Sequence, residues 1–245
     1  PGETISGIYL WDITTCQTQR ISRERYDCNF PSFSPTGKQI VYTSWRNDTN
    51  GDNVINFRDN SSIILYDFND GFESEMVCDT CDNRFPSFSM DGAGIIYLSR
   101  RKDTNGDGII NSFDNPGIYM LEIKNKKERQ IVNDEFYNLY PAFCWDTKRI
   151  IYLGSWRREE RKEDEEIRDY FENKGLYCCD INGRNERAIV SEKYYGCRAP
   201  AVSPLNGRVA YVAWRHNTNR GLYFTNIDEK TDSQTLSQIL ENNFS

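Results

Sequence analysis

The chain has 245 residues, a net charge of −7 and 27% charged residues. An acidic balance excludes nucleic acid as a partner, because neutralising phosphates needs clustered Lys and Arg. No stretch approaches the roughly 18 apolar residues of a membrane-spanning helix, so no membrane span is expected.

Tyr and Phe are abundant, and apolar residues come in short bursts that favour strands over amphipathic helices. In chain order, the first pattern is incomplete. Gly7-Ile8-Tyr9-Leu10-Trp11-Asp12 reads as one strand and Gln19-Arg20-Ile21-Ser22 as a weaker second. The chain opens on Pro1 rather than Met, which predicts that a preceding segment was removed, by signal processing or by truncation.

In the next segment, Phe30-Pro31-Ser32-Phe33-Ser34-Pro35-Thr36-Gly37 predicts a strand running into a tight turn, and Gln39–Ser44 a second strand. Arg46 follows, then a loop, then a third strand at Ile63–Asp67. The same order returns with Phe85–Gly92, Gly94–Ser99, Arg101 and Gly117–Glu122. It returns again with Tyr140–Asp146, Arg149–Gly154, Arg157 and Gly175–Asp180. The last copy has Ala199–Gly207, Arg208–Ala213, Arg215 and Gly221–Thr225. A polar turn and a weaker fourth strand close each unit, as at Glu128–Val132. Pro31, Pro86, Pro141 and Pro200 recur at steps of 55, 55 and 59 residues.

Each unit therefore reads as four antiparallel strands, which at this period predicts a β-propeller blade. One blade cannot bury both of its faces, so neighbouring blades must stack on it. The expected fold is all-β: a single propeller over residues 1–245, with four full blades and a half blade at the N-terminus. The units are placed at about 7–22 for the half blade, then 30–76, 85–132, 140–190 and 199–240.

The repeats resemble the signature of the TolB-like, WD-related propeller family, roughly Pro-x-Phe-Ser-Pro-Asp-Gly-(Lys)-x-Ile-x-(Phe/Tyr)-x-Ser followed by Ile-Tyr-x-x-Asp. Residues 31–44 and 63–67 match it, as do residues 86–99 and 118–122. The third copy departs, with Cys144-Trp145-Asp146-Thr147 in place of Ser-Pro-Asp-Gly, and the fourth carries an insertion around Leu205-Asn206. The resemblance implies the architecture; propellers host many activities, so it leaves function open.

The loop between second and third strands carries the chemistry. Asp48–Asp59 and Asp103–Asp114 each span twelve residues. Asp48, Asn50, Asp52, Asn56 and Asp59 stand at loop positions 1, 3, 5, 9 and 12, and Asp103, Asn105, Asp107, Asn111 and Asp114 repeat them. Val54 and Ile109 hold position 7, where the backbone carbonyl would be the ligand. Calcium takes six to eight hard oxygen ligands, and a tight coil of Asp and Asn supplies them. Asp rather than Glu at position 12 resembles the dockerin-like variant of the EF-hand loop. Flanking strands argue against a helix-opening switch. Two structural calcium sites are thus expected, against an ion-free Asx-rich turn and against a regulatory ion.

The third copy replaces this loop by Arg157–Glu172, whose mixed charges at i,i+4 predict a short solvated helix. The fourth shortens it to His216–Arg220. Trp45, Trp156 and Trp214 share one place after the second strand, with Arg100 in the second copy. They read as blade-rim packing or, more sharply, as an aromatic ring that binds a peptide or glycan.

Eight cysteines, with Cys78-x-x-Cys81 the closest pair apart from Cys178-Cys179, allow disulfides in an oxidising compartment or free thiols. A zinc site would need four ligands, and His216 is the only histidine. No Gly-x-Ser-x-Gly elbow is present, and one loop histidine makes a poor triad base. The expected function is a non-catalytic, calcium-stabilised interaction or scaffold module with a protein partner, extracellular, at the cell surface or in a periplasm. The alternatives are the accessory propeller of a hydrolase and a subunit that assembles with other chains.

Overall fold

Strands 4–7 residues long, joined by turns, build the chain in this computed structural model. It describes residues 5–155, 174–190, 196–214 and 221–228. The chain divides into two compact units, Pro1–Glu135 and Phe136–Ser245.

In the first unit, β1 (Tyr9–Asp12) and β2 (Gln17–Arg20) form an antiparallel hairpin, the expected half blade. β3 (Cys28–Phe33), β4 (Gln39–Ser44), β5 (Ser62–Asp67) and β6 (Phe72–Val77) follow as a four-stranded antiparallel meander. β7 (Asp82–Phe88), β8 (Gly94–Arg100), β9 (Gly117–Glu122) and β10 (Lys127–Val132) repeat it. In the second unit the third meander is β11 (Asn138–Phe143), β12 (Arg149–Ser155), β13 (Lys174–Asp180) and β14 (Arg187–Val190). The last sheet has β15 (Gly196–Val202), β16 (Arg208–Trp214) and β17 (Gly221–Asn226). Its expected fourth strand and the helix expected over Arg157–Glu172 lie outside the described residues.

The central strands are apolar on both faces because each face meets a neighbour. Successive side chains of a strand point to opposite sides. Ile40, Tyr42 and Ile64, with Cys28 of the same sheet, pack with Ile8 and Ile21 of the half-blade side. Val41, Ile63 and Leu65 pack with Ile95, Tyr97 and Leu121 of the next sheet. In the second unit, Ile151, Leu153, Leu176 and Cys178 meet Cys197, Val209, Tyr211 and Ala213. Burying each large apolar side chain contributes about 1.5–3 kcal/mol, which an unstacked sheet would forgo on the face left bare.

Each repeat proline sits in a β-bulge. In the first sheet Asn29 pairs with Thr43 and Ser32 with Val41, so Phe30 and Pro31 together oppose Tyr42. Phe85 and Pro86 oppose Tyr97, Tyr140 and Pro141 oppose Tyr152, and Ala199 and Pro200 oppose Tyr211 in the same way. The residue before each proline is left-handed, with φ of 57° at Phe30, 56° at Phe85, 49° at Tyr140 and 47° at Ala199. A proline has no N–H for the ladder, and a bulge is where a strand tolerates that loss. Among the described residues the four opposed tyrosines are the largest fully buried side chains, at 0–1% exposure.

The tyrosine hydroxyls carry a second repeated feature. Tyr42 Oη donates to Glu73 Oε1 at 2.5 Å, and Arg46 Nη2 lies 2.8 Å from Glu73 Oε2. In the next sheet Arg101 Nη2 donates to Tyr97 Oη at 3.2 Å and to Glu128 Oε2 at 2.9 Å. Tyr152 Oη donates to Glu186 Oε1 at 2.7 Å. Burial alone would raise the Glu73 carboxyl, but hydrogen bonds from Tyr42 and Arg46, with the Arg46 charge, hold it below its ordinary value.

Candidate functional site

The two twelve-residue loops join β4 to β5 and β8 to β9, and they are built the same way. Asp48 Oδ1 accepts from Gly51 N at 2.7 Å and Oδ2 from Asn53 N at 2.8 Å. Asp103 accepts from Gly106 N at 2.6 Å and Gly108 N at 2.8 Å. The next acceptors each take the N–H two residues on. Asn50 takes Asp52 N, Asp52 takes Val54 N and Asn56 takes Arg58 N. Asn105, Asp107 and Asn111 repeat this on Asp107, Ile109 and Phe113. Short Asx side chains make this winding possible.

The winding needs two left-handed residues per loop. Gly51 has φ +77° and Asn53 +64°, and Gly106 and Gly108 have +79° and +85°. Asn is among the few side chains that adopt this region without large strain, which is why it stands in for glycine at position 53.

Position 12 closes each loop from inside. Asp59 is 1% and Asp114 0% exposed. Asp59 Oδ1 accepts from Thr49 N at 2.7 Å, Thr49 Oγ1 at 3.2 Å and Asn50 N at 3.2 Å, while Oδ2 accepts from Asn56 N at 2.9 Å. Asp114 makes the matching bonds to Thr104, Asn105 and Asn111. The threonine hydroxyls complete the latch by accepting from Asn60 N and Asn115 N, both at 2.7 Å. Sequence reasoning did not single out Thr49 and Thr104. Their recurrence at position 2 of both loops was the available signal.

The donor set is all oxygen, which suits a hard cation. A carboxylate or amide oxygen has two lone pairs, so one N–H acceptance leaves capacity for a second partner; at position 12 this holds for Oδ2 of Asp59 and Asp114, while each Oδ1, with three donors, is filled. Among the described residues, however, no three His, Cys, Asp or Glu side chains are gathered into a metal-holding group. Asp59 and Asp114 face inward onto backbone N–H groups, and Asp48, Asp52, Asp103 and Asp107 stand exposed. Val54 and Ile109 are exposed, as are Ile55, Phe57, Ile110 and Phe113.

Trp45 lies beneath the first loop. It is 2% exposed, its indole Nε1 donates to the Asp59 carbonyl at 3.1 Å, and the Arg84 guanidinium sits 5.3 Å from its ring centre. Arg100 holds the same place in the next sheet and donates from Nε to the Asp114 carbonyl at 2.9 Å. These residues bear on the loops from below. Trp156, the Trp214 side chain, Arg157–Glu172 and His216–Arg220 lie outside the described residues.

No disulfide joins any of the eight cysteines; Cys16 and Cys78 are exposed, Cys81 is partly covered and the other five are buried. No helix of the described residues is long and apolar enough to cross a membrane.

No protein-family model matches the chain, and no curated protein matches it by sequence. Its fold is nevertheless shared by solved structures. TolB from Acinetobacter baumannii superposes with a TM-score of 0.66 at 17% identity, over 90% of this chain and 46% of that one. An oligogalacturonate lyase in complex with manganese gives 0.62 at 13% identity, over 91% and 56%. A puromycin-hydrolysing peptidase of Mycobacterium tuberculosis gives 0.62 at 12%, over 94% and 34%. The chain thus spans about half, or less, of the length of these proteins. The blades expected from the repeats are those of an all-β, TolB-like propeller fold.

Proposed function

We propose that this chain is a non-catalytic, calcium-stabilised propeller that acts outside the cytoplasm as a protein-interaction module. One observation carries the reading: loops of two successive repeats reproduce the same hydrogen bonds, position by position, around an all-oxygen donor set. In the first loop Asp48, Asn50, Asp52, Asn56 and Asp59 would hold calcium with the Val54 carbonyl. In the second, Asp103, Asn105, Asp107, Asn111 and Asp114 would do so with the Ile109 carbonyl. Bound calcium supplies the positive charge that offsets repulsion among these carboxylates. Extracellular calcium modules have dissociation constants of about 10⁻⁴–10⁻³ M, so the millimolar calcium outside cells would fill such sites.

The protein partner is supported by what the loops display. Val54, Ile55, Phe57, Ile109, Ile110 and Phe113 are 38–77% exposed on loops whose bases are buried and latched. A second reading, the accessory propeller of a hydrolase, is supported by the likeness to a peptidase and a lyase that are longer than this chain.

Thermal unfolding with millimolar calcium and with chelator tests the ion. A site filled to 100 times its dissociation constant stabilises by about 2.7 kcal/mol. Calcium should raise the midpoint, and Asp48→Ala with Asp103→Ala should abolish that rise. An unchanged midpoint would refute calcium stabilisation.

A further inference from the structure

The place after the second strand is Trp in the first sheet and Arg in the next, and the difference has a structural consequence. Trp45 and Arg100 each donate one N–H to the carbonyl of the residue that closes their loop, Asp59 and Asp114. An indole has no second donor, whereas a guanidinium has a fork of several. The second arm of Arg100 reaches back toward the first loop: Nη1 donates to Asp82 Oδ2 at 2.8 Å.

Asp82 opens β7 and is fully buried. Its other oxygen, Oδ1, accepts from Ser61 Oγ at 2.8 Å and from Arg84 Nε at 2.7 Å. Ser61 is two residues beyond Asp59, at the point where the first loop enters β5. Its one hydroxyl hydrogen is shared between Asp82 Oδ1 and the Asn83 carbonyl, which also lies 2.8 Å from Oγ, and the Ser61 carbonyl accepts from Asn83 N at 3.0 Å. Asn60 Nδ2 donates to the Thr80 carbonyl at 2.6 Å alongside. Hydrogen bonds therefore join Ser61, Asp82, Arg100 and the Asp114 carbonyl, and Ser61 is tied to Asp59 through the backbone of Asn60; Asp59, Ser61, Asp82, Arg100 and Asp114 are each 0–2% exposed.

We propose that Asp82 and Arg100 couple the two loops, so that order at one loop favours order at the other. Opening the second loop releases the Asp114 carbonyl from Arg100. Arg100 and Asp82 form a buried ion pair that cannot drift to a new arrangement without exposing an uncompensated charge. The displacement therefore passes to Ser61 and the closing residue of the first loop. Coupling is reciprocal, and couplings between sites in proteins typically amount to 5–150-fold. Where the loops hold calcium, the same contacts make binding at the two loops cooperative; that part alone rests on the function proposed above. Asp82 and Arg100 act as positioning residues, since neither belongs to the donor set.

Hydrogen exchange of individual loop amides in chelator tests the coupling with no ion involved. The reporters are Thr49, Asn50 and Asn56, whose N–H groups bond Asp59. Asp114→Asn, whose side chain bonds only residues of the second loop, should speed exchange of these first-loop amides about tenfold. In an Arg100→Trp background, which restores the residue of the first sheet and removes the second arm, the same lesion should leave them unchanged. Asp82→Asn gives an independent cut of the chain, with Arg84 and Ser61 still able to bond the amide, and should behave likewise. First-loop amides that ignore Asp114→Asn in the otherwise unaltered protein would overturn the proposal, as would an equal response in both backgrounds. Calcium titration separates the two ideas. With intact coupling, Asp48→Ala weakens binding at the second loop about tenfold and not in Arg100→Trp. Transmitted exchange without any calcium binding would sink the ion reading and leave the coupling standing.

Discussion

Glu73→Ala probes the polar cluster buried beside the central tyrosine of the first sheet. The Glu73 side chain is 4% exposed and pairs with Arg46, itself 6% exposed. It also receives the Tyr42 hydroxyl, the Arg23 N–H and the half-exposed Arg23 guanidinium. Removing one member of a buried pair costs about 3–5 kcal/mol, because the survivor keeps its desolvation penalty. Glu75 lies 3.5 Å from Arg46 and is 49% exposed, so it can recover about 0–1 kcal/mol, the range of surface pairs. The net expectation is a loss of about 3 kcal/mol. Tyr42→Phe removes a single charge-assisted hydrogen bond and should cost about 1.5–3 kcal/mol. The two groups touch, so the double variant should fall short of additivity by about 1 kcal/mol or more. Urea unfolding at pH 7, with unchanged m values, measures all three. A loss below 1 kcal/mol for Glu73→Ala, or strict additivity with Tyr42→Phe, would refute the reasoning.

Other outcomes follow from the same geometry. The Glu73 carboxyl is held below its ordinary value, so its contribution is present above the ordinary glutamate pKa of about 4.3 and fades as pH falls through the folded value. Stability should therefore decline more steeply in acid for the wild type than for Glu73→Gln, which urea midpoints between pH 6 and 3 would show. Gly108 has φ +85° and no atom within 4 Å of an added Cβ, so Gly108→Ala meets no clash and should cost about 1–2 kcal/mol through backbone strain alone. Asn53→Gly, at φ +64°, should be neutral or slightly stabilising in the same unfolding assay. A thiol reagent under native conditions should label Cys16 and Cys78 quickly and spare the five buried cysteines until unfolding, as mass spectrometry of the labelled peptides would reveal.

Much of this was legible in the chain because repetition exposes it. Pro31, Pro86, Pro141 and Pro200 mark one strand-and-turn pattern, and the Ile, Val and Tyr bursts after them mark strands buried on both faces. The loop positions of Asp and Asn were readable too, because Asx turns and left-handed positions depend on residues two to five apart. Contacts between distant residues were not readable. Glu73 stands 31 residues beyond Tyr42, and its approach to the hydroxyl depends on how β6 lies in the sheet. Trp45 read as rim packing or as a binding aromatic; its ring is covered and its N–H is committed to the Asp59 carbonyl, contacts that the spacing did not announce. Arg100 looked like a mere replacement of that tryptophan until Asp82 was seen beside it. The sequence by itself determined the repeat, the strand order within a blade and the chemistry of the loops, all set by local pattern. Only the tertiary structure decided which oxygens face inward: Asp59 and Asp114 turn onto amides of their own folded loops, and Asp82 is buried where β7 meets Ser61 of the preceding repeat and Arg100 of β8.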